Sequence, residues 1–245
     1  DWQEVDAMII EIRAKNCFVF EEEISFSMKA DMRNKKFASN VHRENNFNVL
    51  KTVGVYGPNN VGKTCLVKCI RAIKHVLLDK KSGLVPNIFS DNEVCQLGVT
   101  FLAYGRKFSY DFWYNAKTNE YVYESFSEML KDHYGNEKEV NWLKRDTIND
   151  VYYCTDEDVQ AMMAIISKNN LFCYLVDISK FECLKEMRDI LVGFAEKIDI
   201  INMNNIPMKH TIELMKNRNN LQEKIVEFIK NADFVITGEG RLDGQ

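Results

Sequence analysis

The run Gly57-Pro58-Asn59-Asn60-Val61-Gly62-Lys63-Thr64 satisfies the pattern G-x-x-x-x-G-K-[ST]. Its residue types suit one kind of chemistry, the cradling of a polyphosphate. Glycines let the backbone curl so that successive N–H groups converge on a β-phosphate, and a helix starting at the lysine adds its partial positive charge. Lys63 would bridge β- and γ-phosphates, the Thr64 hydroxyl would ligate Mg²⁺, and Cys65 would lie in the first turn behind them. Asn59 and Asn60 fit the same loop, because Asn tolerates left-handed backbone conformations. The sequence therefore predicts an ATP and Mg²⁺ site made by Gly57, Pro58, Asn59, Asn60, Val61, Gly62, Lys63, Thr64 and Cys65.

A second metal ligand would come from an acidic residue at a strand end. Leu171-Phe172-Cys173-Tyr174-Leu175-Val176-Asp177 is the best match, with Asp177 placed to hold Mg²⁺ through water, although Ile178 stands where a catalytic Glu would follow. Val151-Tyr152-Tyr153-Cys154-Thr155-Asp156-Glu157 imitates the same motif, but Thr155 to Asp158 reads better as a helix cap with an acidic first turn. No catalytic residue can be assigned. The four His show no spacing with carboxylates or cysteines that would build a metal site or a triad. The seven Cys are odd in number and lack any C-x-x-C pair, so they read as reduced core thiols.

The elements needed to position the loop are expected on both sides of it. Thr52 to Tyr56 is a short β-branched run that could be buried on both faces. After the loop, Cys65, Leu66, Cys69, Ile70, Ile73, Val76 and Leu77 recur at helical spacing, predicting a helix over 63–78. Upstream, Met8 to Ala14 and Ile24 to Met28 predict an antiparallel hairpin, and residues 31–50 read as a polar loop. Downstream, Leu97 to Ala103, Phe108 to Tyr114 and Tyr121 to Phe126 alternate with period two and predict a β-meander. Helical spacing returns over 156–168, 180–198 and 208–232, with Leu171 to Val176 a short buried strand or helix turn.

Met8 to Phe18, Ile24 to Ser27, and Asn48 to Thr64 together resemble the opening of the ABC/SMC-like AAA-type core ATPases, the abortive-infection and anti-phage group around AbiL, RloC and OLD. The likeness extends through the meander to His210-Thr211-Ile212-Glu213-Leu214 and Phe228 to Asp233. It implies ATP binding, homodimerisation, and hydrolysis that needs a C-terminal half carrying Walker B, signature and switch motifs. It also implies coupling to a nuclease effector or a nucleic acid. A separate stretch, Ala232 to Gln245, resembles a segment of bacterial glycerate kinases, but so short a match cannot build a two-substrate cleft.

Composition bounds these readings. The chain has 245 residues, 46% hydrophobic and 28% charged, with 15 Phe and 10 Tyr, enough for a real core. A net charge of -4 gives no global attraction to nucleic acid or anionic lipid. There is no membrane-length apolar run, so no membrane partner and a cytoplasmic location are expected. The expected fold is α/β, an incomplete P-loop NTPase (ABC/SMC-like) sandwich: a mixed sheet with 52–56 as its central strand, an inserted β-meander and a helical segment. The expected division is 1–7 an unrelated leader, 8–95 an N-terminal ATPase subdomain, 96–127 the meander, 128–235 mostly helical, and 236–245 a tail of uncertain origin. A nucleotide-gated scaffold that binds ATP without turning it over is the alternative.

Overall fold

A computed structural model describes residues 7–33, 36–45, 47–59, 61–131, 136–175 and 180–201. The chain divides after Asp199, and the architecture below is that of the first unit. It is an α/β arrangement built on one seven-stranded sheet. The strands are β1 (Met8–Lys15), β2 (Ile24–Ser27), β5 (Val94–Ala103), β6 (Arg106–Asn115), β7 (Glu120–Lys131), β8 (Glu137–Asp146) and β9 (Val151–Cys154). They lie in the order β2-β1-β5-β6-β7-β8-β9. A separate hairpin joins β3 (Val41–Glu44) to β4 (Phe47–Leu50).

Alternation decides which way each strand faces. In register across the sheet, Ile12, Val99, Tyr110, Phe126 and Leu143 form one inward row. The next row on the opposite face is Arg13, Gly98, Asp111, Ser125 and Lys144. Helices α1 (Lys63–Leu77) and α4 (Glu182–Glu196) cover the inward face. Their buried stripes, Leu66, Cys69, Ile73 and Val76 on α1 and Leu184, Met187, Leu191 and Phe194 on α4, show the three- and four-residue spacing of amphipathic helices. Phe194 stacks on Phe101 of β5 with ring centroids 4.0 Å apart, which fixes α4 to the centre of the sheet. Two shorter helices, α2 (Glu157–Met163) and α3 (Phe172–Leu175), complete the layer.

The expected 8–28 hairpin, the 63–78 helix and the three-stranded meander are all present, and Leu171 onward forms a helix turn. Four expectations need correction. Every strand pairing among the described residues is antiparallel, so the sheet there is not mixed. Residues 52–56 join no ladder, and Val55 and Tyr56 are 48% and 93% exposed. A β-branched run becomes a buried strand only where sheet neighbours receive it, and here β1 is already flanked by β2 and β5. The polar stretch 31–50 contains the β3–β4 hairpin, whose Val49 packs with Ile10 and Leu102. Residues 128–154, expected to be mostly helical, extend the meander through β7, β8 and β9: Glu137, Lys138 and Glu139 stand exposed at the start of β8, while Leu143 and Arg145 further along it are buried. The 208–232 helix and the 232–245 tail lie outside the described residues.

The sheet ends in short strands. β2 and β9 have four residues each, and β9 pairs with only Leu143 to Asp146 of the ten-residue β8. No helix among the described residues is long and apolar enough to cross a membrane.

Candidate functional site

The glycine loop closes onto the start of α1, and its shape follows from two local constraints. Gly62 is the N-cap residue at φ 94°, a conformation that side chains rarely adopt. A Cβ there would also meet the Phe20 ring at 2.9 Å and Val19 at 3.1 Å. Gly62 is thus dictated both by its own backbone and by the tight turn at the end of β1, where Cys17 and Phe20 exchange 2.9 Å backbone hydrogen bonds. A cation–π contact of 5.6 Å from Lys68 to the Phe18 ring holds the same turn against α1.

The first turn of α1 carries the electrostatics of an anion site. Gly62 supplies no side-chain cap, and no acidic residue occupies the first turn. Its N–H groups therefore keep the partial positive charge of a helix N-terminus. Lys63 folds back across the loop, its Nζ donating to the Gly57 carbonyl at 2.7 Å and also to that of Pro58. The ammonium thus lies on the loop itself, where it could exchange carbonyl partners for phosphate oxygens. Asn59, Val61 and Thr64 are exposed, and Cys65 is half-buried. Asn60 and Asp177 lie outside the described residues.

The other sequence candidates resolve differently. Asp156 caps α2, accepting hydrogen bonds from the backbone N–H groups of Asp158 at 3.0 Å and Val159 at 3.1 Å. Cys17, Cys69, Cys95 and Cys154 are buried free thiols. The neighbouring Cys95 thiol, then burial, drives the Cys17 pKa far up, and burial pushes Cys69 up to about 12. Neither is a nucleophile near neutral pH. Among the described residues, no three His, Cys, Asp or Glu side chains gather into a metal site.

Two charged constellations escaped the sequence reading. Glu124 and Arg145 form a completely buried ion pair, Oε2 to Nη2 3.3 Å. Glu124 also accepts from the Phe172 backbone N–H at 2.8 Å and the Tyr110 hydroxyl at 3.1 Å, and Arg145 donates to the carbonyls of Asn170 at 3.0 Å and Ser167 at 3.4 Å. The pair thereby pins the segment that enters α3. Burial pushes the Glu124 carboxyl up, against the pull of Arg145. The signal was present in the alternation, since Glu124 falls in phase with Phe126 and Arg145 with Leu143. On the opposite face, Arg13 reaches across β5 to Asp111, Nη2 to Oδ1 2.9 Å, and also bonds Thr100 and Ser109.

Compared with protein-family models and with curated proteins, the chain matches none.

Proposed function

We propose that this chain is the ATP-binding part of an ABC/SMC-like AAA-type ATPase with a P-loop NTPase fold, as the resemblance of residues 8–64 implies. The observation that carries the reading is the loop from Gly57 to Thr64: a left-handed Gly62 opens a fifteen-residue helix without a side-chain cap, and Lys63 lies across the loop on its carbonyls. These residues fit a nucleotide polyphosphate. Backbone N–H groups at the start of α1 would take the β-phosphate, Lys63 the β- and γ-oxygens, and the Thr64 hydroxyl the Mg²⁺, with Asp177 the second candidate ligand. The metal would neutralise phosphate charge. Hydrolysis would require the C-terminal motifs and a second protomer. Coupling to a nuclease effector or nucleic acid belongs to the same reading.

Lys63→Ala tests it. In a calorimetric titration the variant should lose ATP-Mg affinity by about two orders of magnitude, the scale of one charge-assisted phosphate contact set. Unchanged affinity would overturn the assignment. One observation favours the second reading, a nucleotide-gated scaffold that does not hydrolyse ATP: the Asp156 carboxylate is committed to capping α2, and β9 before it is an antiparallel edge strand. Phosphate release above that of Lys63→Ala would exclude the scaffold.

A further inference from the structure

The face of the sheet turned away from α1 and α4 carries a cleft of about 200 Å³, with Arg13, Gly98 and Asp111 among its lining residues. Gly98 sits inside a central strand, where glycine is unfavourable. Its absence of a side chain has a reason on this face: a Cβ would lie 2.0 Å from Asp111 Oδ1 and 2.9 Å from Arg13 Nη2. Asp111 leans through that space to meet Arg13, and their charges cancel.

One wall of the cleft is aromatic. Trp113 stacks on Tyr123 with centroids 4.5 Å apart and planes 23° from parallel, and Lys144 closes over Tyr123. Tyr123 lies on β7, whereas the cross-strand neighbour of Trp113 on its other side is Gln96 of β5, and Trp113 and Gln96 both line the cleft. Lys15 and Glu23 line the cleft with opposite charges. Among the described residues, the side chains of Lys15, Gln96 and Trp113 make no hydrogen bond or ion pair, leaving an ammonium, an amide and an indole N–H to offer.

We propose that this cleft binds a purine base, stacked on Trp113 and read along its edge by Gln96. An uncharged planar ring with both donors and acceptors matches a cleft of no net charge, an aromatic wall and a free amide, which accepts and donates at once. A phosphate or carboxylate ligand would meet one free cation opposed by Glu23. The base could belong to a free nucleoside or to a single strand.

Adenosine and a short oligodeoxyadenylate are the probes, titrated by calorimetry and by saturation-transfer NMR. Adenosine should bind the native chain and Lys63→Ala equally, and Gln96→Leu and Trp113→Leu should each weaken it by about tenfold or more. No binding at millimolar adenosine overturns the proposal, and so does binding that Lys63→Ala abolishes while the cleft variants leave it intact. Should Trp113→Leu fail to fold by circular dichroism, Gln96→Leu decides alone. Tighter, salt-sensitive binding of the oligonucleotide assigns the base to a strand, and equal affinity assigns it to a free nucleoside. Loss of ATP binding in Lys63→Ala is read separately, so the loop and the cleft stand or fall independently.

Discussion

Glu124 and Arg145 are the two residues whose chemistry the interior constrains most tightly. Taking both charges out of water costs several kcal/mol each, and only the pair and its hydrogen bonds offset that cost. Arg145→Met should therefore destabilise the chain by about 3–5 kcal/mol, because it strands a buried carboxylate, while Glu124→Gln with Arg145→Met should recover much of the loss. Urea unfolding of the native chain and these two variants measures this, and equal stability of the single and double variants would contradict it. The pH dependence has a definite sign. Burial raises the native Glu124 pKa above its ordinary value of 4.5, so the folded state holds this proton more tightly than the unfolded chain. The stabilisation it contributes is complete below that ordinary value and is lost as pH rises through the raised one. Glu124→Gln should remove this component, so the stability difference between native and variant narrows or reverses as pH rises through the window. At the glycine loop the same residue-level economy holds, since Gly62 satisfies a backbone angle and a 2.9 Å approach of Phe20 together.

Helix α2 shows how an element can account for a residue that resembles catalytic machinery. Asp156 follows the apolar edge strand β9, as a Walker B acid would, but its carboxylate holds two backbone N–H groups. Asp156→Ala should cost about 1 kcal/mol, whereas Asp156→Asn, an equally good cap, should stay within about 0.5 kcal/mol and leave ATP binding and any turnover unchanged. Loss of turnover in a fully stable Asp156→Asn would return the residue to catalysis. The turn before β9 is fixed similarly: burial opposes the charge of Asp146, but hydrogen bonds from Asn149 and Ile148 hold its pKa below the ordinary range. Its contribution is therefore present above the unfolded pKa and lost as pH falls through the folded one. Elements with a clear period were legible in the sequence: α1 from its apolar stripe, and β1, β5 and β6 from their alternation. β8 was not, because Glu137, Lys138 and Glu139 precede Asn141 and hide the alternation that begins at Trp142 and Leu143. Residues 52–56 misled for the opposite reason, since local β propensity says nothing about whether a neighbouring strand exists.

At the scale of the whole molecule, the sheet is joined by contacts between distant residues. β1 pairs with β5, bringing Lys15 beside Gln96, and the entire loop and α1 lie between them in sequence. Closing so large a loop precedes any gain from the ladder, so refolding should be slow for the chain's size, in the millisecond-to-second range typical of non-local β topologies. Stopped-flow tryptophan fluorescence, reporting from Trp113 and Trp142 on β6 and β8, would show it, and complete recovery within a millisecond would contradict this topology. The glycine loop was legible in the sequence because its chemistry is contiguous. The cleft on the far face was not, since Arg13, Gly98, Asp111 and Trp113 converge only through strand register. β9 leaves the outer edge of β8 from Glu137 to Asn141 without a strand partner among the described residues, and that edge begins Glu-Lys-Glu. A second copy docking there in parallel register would set carboxylate against carboxylate and ammonium against ammonium, so these charges act as gatekeepers against fibrous self-association where the sheet is most open to it.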